Sequence, residues 1–438
     1  MIIIGFKDFL NFDDLQFGYQ AKVSTSMCTW LAVETISYFC QNGSDVFTCL
    51  MDMSKAFDNV QHSKLFSKLV DNGMPSIIVR FLLTTYRHQQ ANVRWNNEYS
   101  RTFDITNGVK QGAVLSAVFY CVYTNELLEE LRRRKVGCCI GQNYVGVVGY
   151  ADDLLLMCPT IDGLQEMLNI CDKFANDHHL SFSTDPDPRK SKTKCMAFMK
   201  MTRVLRNLTL ADNPLPWVDS GKHLGIKISN QRDDMLSQDI REKRARYIQR
   251  NNELMQEFAF ADSSTKTSIN NIYNSHFTGS VVWDLFGKDV DHVYKTWNVS
   301  IRRMYRLDRT THKYFIEPIS CTPHIKISML KRFFRFTENL KCSDKSCAKN
   351  VFNCLKYDCR STTGRNLRMI ANMTEKASCD FIIPQTIDKI RYVPYVNDMT
   401  EAKIEAVREL IAIRDGKKVL RQWNKDEVAE LTNFLTTG

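Results

Sequence analysis

Short apolar runs and amphipathic stretches alternate through the first half of the chain, and from about residue 230 the pattern becomes helical to the end. Residues 46–51 are an apolar run that stops at Asp52, followed by a helical pattern through Leu65 and Leu69. Two further apolar runs, 145–149 and 154–157, flank Tyr150-Ala151-Asp152-Asp153. Apolar strands joined so closely read as a tight β-hairpin with two acids at its tip. Residues 1–45 read as a short strand or turn and then a helix at 26–40, with Trp30, Val33, Ile36 and Phe39 or Cys40 on one face. A long helix is predicted at 113–133 and another at 161–177, where Ile161, Leu164, Leu168, Cys171 and Phe174 make an apolar stripe. Residues 92–95 and 100–105 flank Asn96-Asn97-Glu98, a hairpin signal. Asp185-Pro186-Asp187-Pro188 interrupts the pattern before a strand near 195–198. Beyond it, 240–260, 266–277, 294–305, 326–340, 400–416 and 425–435 read as helices. This order predicts an α+β class, an antiparallel sheet with helices packed on it and a mainly helical region after it.

The adjacent carboxylates carry the chemistry. Buried strands do not present paired negative charges without compensation, since unpaired carboxylates there are costly. The run ending at Asp52 would bring a third acid to the same cavity. Divalent cations relieve such repulsion, and Mg²⁺ takes one or two carboxylates together with substrate phosphates. Two such ions stabilise the attacking and leaving oxygens of a phosphoryl transfer, so the constellation points to nucleotidyl transfer. Two other acid pairs, Asp13-Asp14 and Asp233-Asp234, stand in polar surroundings and read as solvated turns or helix starts.

At 438 residues and 44% apolar content the chain can form two or three domains with real cores. No run approaches the ~20 apolar residues of a membrane span. The first eight residues are too short and too soon charged for a signal peptide. With no such signal, fifteen cysteines suggest free thiols in a reducing compartment. The expectation is an intracellular protein of cytoplasm or nucleus, neither secreted nor membrane-bound. The net charge is +10, and residues 295–335 hold ten Lys/Arg against Asp308 and Glu317. Trp297, Tyr305, Tyr314, Phe315, Phe333 and Phe334 are interleaved among them. Basic side chains track phosphates and aromatic faces stack on bases. The alternative is a core of aromatics under a solvated charged face, and the expectation combines the two: rings inward, basic face toward a duplex. Cys342, Cys347, Cys354 and Cys359 are spaced C-x₄-C-x₆-C-x₄-C, wider than usual zinc pairs, which favours unligated thiols over zinc.

Five blocks in order resemble the reverse transcriptases of non-LTR (LINE-type) retrotransposons. Residues 47–62, FTCLMDMSKAFDNVQH, are similar to motif A of that family, and 108–120, GVKQGAVLSAVFY, to motif B. Residues 150–153 match motif C, KSKTKCMAF at 190–198 is similar to motif D, and His223-Leu224-Gly225 to motif E. Phe17-Gly18-Tyr19-Gln20 resembles a block that precedes motif A. The resemblance implies a right-hand polymerase: a remnant of the fingers at 1–45, a palm at 46–229, a helical thumb and following helices at 230–340, and a helical C-terminal extension of unread role at 341–438. It implies an RNA-directed DNA polymerase using an RNA template, a DNA primer, dNTPs and two Mg²⁺ ions, with Mn²⁺ as the substitute metal.

Residue by residue, Asp52 and Asp152 would ligate the metals, with Asp153 beside them and the Met53 carbonyl as a further ligand. Phe57 stands where the family has its sugar gate, a ring that clashes with a ribose 2′-hydroxyl. Gln111 and Gly112 would line the nucleotide pocket, with Tyr150 beside it, and Leu224-Gly225 would belong to the primer grip. Lys192 is the candidate for the motif D lysine that protonates pyrophosphate, with Lys194 competing. Each has a plainer alternative: Phe57 as core, Gln111-Gly112 as a turn before a helix, Lys192 as part of a solvated basic loop. Arg132-Arg133-Arg134-Lys135 end a helix, where cations are favoured by its C-terminus without nucleic acid. Two departures stand out: only about sixteen residues precede the Phe17 block, and motif B reads Leu115-Ser116-Ala117 where the family has Leu-Ser-Pro. The short fingers imply an N-terminally truncated form without the endonuclease, so a catalytically inactive or domesticated nucleic-acid-binding remnant is the alternative function.

Overall fold

The computed structural model describes residues 9–10, 12–113, 115–187, 189–201, 204–230, 235–274, 277–376, 398–416 and 424–437. The chain divides into two compact units, residues 1–232 with 339–355, and 233–338 with 356–438.

In the first unit the principal elements are α1 (Thr25–Gln41), β1 (Val46–Met51), α2 (His62–Asp71), α3 (Ser76–Arg87), α4 (Ser116–Arg134), β2 (Val147–Tyr150), β3 (Asp153–Cys158), α5 (Ile161–His178), β4 (Lys194–Phe198), β5 (Ser220–His223), β6 (Ile226–Ser229) and α6 (Ser346–Leu355). The sheet runs β4-β1-β3-β2 with every neighbouring pair antiparallel. Its strands are almost continuously apolar and buried because helices cover it: α1 packs on β1, β2 and β3, α5 on β1 and β3, and α4 on β2. Capping fixes where those helices begin. Ser24 accepts from the Met27 N–H at the start of α1, and Thr160 accepts from the Gly163 N–H at the start of α5. The predicted α+β layering, the apolar strands and the helices near 26–40 and 161–177 are therefore present. The helix predicted from 113 begins at Ser116 instead, because residues 110–113 form a turn. Asn96 and Asn97 both adopt positive φ, 44° and 68°, and close a hairpin at the expected place, but Glu98, read as part of the turn, lies in the strand Glu98–Tyr99 that pairs with Arg94–Trp95.

Register decides where the acids emerge. Met51 pairs with Leu154, and Tyr150 pairs with Asp153 across the two-residue turn Ala151-Asp152. Asp52, Asp152 and Asp153 thus leave the sheet at the same end.

The pair Asp13-Asp14 corrects the expectation of a solvated turn. Asp13 is buried, its N–H donates to Asn125 Oδ1, and its carboxylate pairs with Arg132 at 2.8 Å. Lys345 Nζ donates to the Asp13 carbonyl at 2.9 Å, and Asp14 accepts from the backbone N–H groups of Ser346 and Cys347 at the start of α6. Polar sequence neighbours hid a contact made more than 300 residues away in sequence. Asp233-Asp234 lies outside the described residues.

The second unit is helical: Ser237–Glu257, Ser263–Ile269, Lys288–Met304, Lys313–Ser320, most of Ile325–Lys341, Thr362–Met373, Asp398–Arg414 and Lys425–Thr437. The helix expected at 266–277 ends early and continues as a π turn, Asn270–Asn274. Of the six aromatics among the basic residues, Trp297, Tyr305, Phe315, Phe333 and Phe334 are buried, and only Tyr314 is exposed. Five of the rings therefore build core and are not free to stack on bases, while Arg303, Arg306, Arg309, Lys313 and Arg335 face solvent. Among the described residues no helix is long and apolar enough to cross a membrane.

Candidate active site

The segment after β1 is gripped from the side of β4. The Asp52 N–H donates to Thr193 Oγ1 at 3.3 Å, the Ser183 N–H donates to the Asp52 carbonyl at 2.7 Å, and the Ser54 N–H donates to the Ser181 carbonyl at 2.9 Å. These bonds flank an antiparallel bridge between Met53 and Phe182. In such a bridge the flanking residues use the edge toward the partner, so the Met53 carbonyl lies on the opposite edge, the side of β3. The N–H groups of Lys192 and Thr193 both donate to the Ser183 carbonyl, which ties the loop carrying Lys192 to Asp52. Lys192 Nζ stands 3.7 Å from Asp52 Oδ2, whereas Lys194 is paired with Leu50 inside the sheet.

Electrostatics set these acids apart. Burial pushes the carboxyl of Asp152 above the usual aspartate range, and the negative charge of Asp52 adds to it. Asp153 reaches solvent, yet desolvation by the surrounding protein raises it too, with Asp152 and Asp52 adding. The Asp52–Lys192 pair is largely solvent-exposed, which makes it a weak compensation for three acids. Among the described residues no three His, Cys, Asp or Glu side chains converge into a ready-made metal cage. The donor set nevertheless suits a hard cation: excess negative charge, carboxylate oxygens only, and a backbone carbonyl alongside, which matches the few protein ligands that Mg²⁺ takes when phosphates complete its shell.

A cavity of about 750 Å³ opens beside the acids, lined by Tyr19, Met53, Lys55, Phe57, Gln111, Gly112, Ser116 and Asp152 among others. Motifs far apart in sequence are sewn together at its rim. The Gly108 N–H donates to the Val60 carbonyl, the Val109 N–H to the Phe57 carbonyl, and His62 Nε2 lies 2.7 Å from the Gly108 carbonyl. Gln111 and Gly112 form the corner of a turn closed by the Ala113 N–H on the Lys110 carbonyl. Gly112 has φ +82°, as the third position of a type II turn demands, and open space where a side chain would be. Turn and cavity wall are thus the same feature. Phe57 is half-buried, its ring 5.1 Å from that of Tyr120 and tilted by 32°, and Tyr120 Oη reaches Met53 Sδ at 2.6 Å. It packs on the core and lines the cavity at once.

Residues 2–228 match the family of reverse transcriptases (RNA-dependent DNA polymerases). The chain belongs to the reverse transcriptase family. One relative, the Retrovirus-related Pol polyprotein from type-2 retrotransposable element R2DM of Drosophila melanogaster, is 31% identical over 27% of this chain and 11% of that protein. Another, the Retrovirus-related Pol polyprotein from type-1 retrotransposable element R2 of Bradysia coprophila, is 27% identical over 42% of this chain and 21% of that protein. The aligned stretches therefore span about a fifth or less of these relatives. Among solved structures, telomerase from Candida albicans aligns over 87% of this chain and 55% of that one, with TM-score 0.38 and 12% identity.

Within this reverse transcriptase fold, Met53, Phe57, Gln111, Gly112 and Asp152 share one cavity, and Tyr150 adjoins it through Tyr19, ring centroids 6.1 Å apart. Asp52, Asp153 and Lys192 flank the acid turn. Leu224 and Gly225 are not part of that lining; they form the tip of the β5–β6 hairpin, with φ +47° and +84°. Leucine is uncommon in that left-handed region. Sequence reasoning missed Ser183 and Thr193, which hold Asp52, and Gln16, whose side-chain oxygen accepts from the Ala151 N–H of the acid turn. Their only signal was polar identity beside apolar or motif residues, and their role comes from pairing across the fold. Of the four spaced cysteines, Cys342, Cys354 and Cys359 are exposed, and buried Cys347 donates to the Tyr144 carbonyl.

Proposed function

We propose that the chain is an RNA-directed DNA polymerase that adds dNTPs to a DNA primer on an RNA template. The observation that carries this reading is that Asp52, Asp152 and Asp153 leave the sheet at the same end, beside a cavity walled by Phe57 and Gln111-Gly112, in a member of this family. The primer 3′-hydroxyl oxygen attacks the α-phosphorus, the bond to the β-phosphate breaks, and pyrophosphate leaves. Asp52 and Asp152, with Asp153 and the Met53 carbonyl close by, would hold Mg²⁺, or Mn²⁺ in its place. When bound, the metal supplies Lewis-acid stabilisation of the phosphate charge and lowers the pKa of the attacking hydroxyl.

The chain's own residues do the rest. The Phe57 ring, buttressed by Tyr120, would clash with a ribose 2′-hydroxyl and so favour dNTPs. Gln111, Gly112 and Tyr150 shape the space for the nucleotide and its template base. Lys192 would give a proton to the leaving pyrophosphate, a reading favoured over Lys194 by its ammonium standing 3.7 Å from Asp52, and Leu224-Gly225 would bear on the primer. The exposed basic residues of the helical unit suit the phosphate backbone of a duplex. The test is primer extension on an RNA template with an annealed DNA primer, dNTPs and Mg²⁺, beside Asp152→Ala. Extension that disappears in the variant is the expected result. No extension by the wild-type protein, with salt-sensitive duplex binding retained, would replace the polymerase with a nucleic-acid-binding protein.

A further inference from the structure

Ala151 sits at φ +57°, a left-handed conformation that costs a residue with a Cβ roughly 1–2 kcal/mol. It is the first residue of the two-residue turn that carries Asp152, a place where glycine is usual. Something in the fold must hold that turn. The Ala151 N–H donates to Oε1 of Gln16 at 3.0 Å, and the same oxygen accepts from the Gly18 N–H at 2.8 Å. Gln16 is fully buried, and its backbone is locked to β2 by a parallel bridge to Gly149. The Phe17 N–H donates to the Gly149 carbonyl at 2.7 Å and the Gly149 N–H to the Leu15 carbonyl at 2.9 Å. The approach is close enough that a Cβ on Gly18 would lie 2.6 Å from the Ala151 nitrogen. Buried, and accepting from the N–H groups of Gly18 and of the strained Ala151, this carboxamide is suited to fix a backbone conformation.

We propose that Gln16 is a positioning residue for Asp152, its carboxamide oxygen holding the Ala151-Asp152 turn in the left-handed form that aims the carboxylate at the metal. The inference rests on the polymerase reading of the site. Gln16 is not among the residues that line the cavity; it acts through Ala151. Gln16→Met keeps the length and removes the acceptor. It should weaken Mn²⁺ binding, followed by the loss of the free Mn²⁺ EPR signal, by about tenfold and lower kcat for nucleotide addition by a similar factor. KM for dNTP and duplex affinity should stay within about twofold. Because glycine adopts positive φ without the Cβ penalty, Ala151→Gly in the Gln16→Met background should recover part of both losses.

Unchanged Mn²⁺ affinity and kcat per folded molecule, with only a lowered Tm, would overturn the proposal and leave Gln16 as scaffold. If Gln16→Met does not fold, Gln16→Asn, one methylene too short to reach Ala151, is measured against the same outcomes. A wild-type protein that binds Mn²⁺ yet extends no primer overturns the polymerase reading alone, since the Mn²⁺ comparison still decides the role of Gln16. A wild-type protein that binds no Mn²⁺ overturns the role of Gln16 as stated.

Discussion

Asp14 offers a test of the fold that needs no activity. Its Oδ1 accepts from the Ser346 N–H at 2.9 Å, and its Oδ2 accepts from Ser346 Oγ at 2.7 Å and from the Cys347 N–H. These are the unsatisfied donors at the start of α6, so a residue 332 positions away in sequence serves as that helix's cap. Removing a cap costs about 0.5–2 kcal/mol, and hydrogen bonds to a charged acceptor lie near ~1.5–3 kcal/mol each before compensation by water. For Asp14→Ala we expect about 2 kcal/mol, and about half that for Asp14→Asn, which keeps an acceptor oxygen. A chain of two units is not expected to melt in one step, so the readout must be local. Hydrogen exchange on peptides from 346–355 measures the local opening, and about 2 kcal/mol corresponds to roughly 30-fold faster exchange. Peptides from α5 serve as the internal reference. Exchange at 346–355 within twofold of wild type in Asp14→Ala would refute the capping argument and with it the contact of this segment with residues 13–14.

Phe57→Val should open the cavity to ribonucleotides, lowering the preference for dNTP over rNTP by about tenfold or more, measured as the ratio of kcat/KM values; an unchanged ratio would return Phe57 to a purely core role. Lys192→Met should slow nucleotide addition by about 100-fold, the usual worth of a positioned general acid, while Lys194→Met stays within about threefold; the reverse order would move the role to Lys194. His223 is buried, neither ring nitrogen has a hydrogen-bond partner among the described residues, and burial pushes it down to about 4. Between about pH 4 and its ordinary value of 6.5 the unfolded chain binds the extra proton, so stability rises with pH across that window and the penalty is complete below it, roughly 3 kcal/mol. His223→Leu should flatten that part of the stability–pH curve, followed by denaturation monitored on the first unit; an unaltered slope would mean that His223 is protonated in the fold.

The sheet was legible because its evidence is local. The runs ending at Asp52 and flanking Asp152-Asp153 are apolar throughout, and only a sheet covered on both faces accepts such strands. The acids were legible for the same reason, being charges in the one context where charge needs an explanation. The turn at Gln111-Gly112 and the helix after it were read in the right place, offset by three residues because type II turn chemistry at Gly112 delays the first helical hydrogen bond. In the helical unit, interleaved rings and cations predicted stacking or core, and burial chose core for five rings of six. Composition counts such groups, but only packing tells which way they point.

What could not be read is pairing across the chain. Asp13 looked like a surface acid because the partners that bury it, Asn125, Arg132 and Lys345, all lie more than a hundred residues from it. Gln16 drew no notice between Leu15 and Phe17, because one of the two N–H groups it accepts from lies 135 positions on. The two omissions share one piece of chain. Residues 13–18 are fixed at one end by Asn125, Arg132 and the 345–347 segment, and at the other they grip β2 and the turn that aims Asp152. A motif names the groups that do chemistry because their identities are constrained by the reaction. The groups that aim them are constrained only by where the fold brings their partners, and in this chain that aim depends on a short segment bound at both ends by residues more than a hundred positions away.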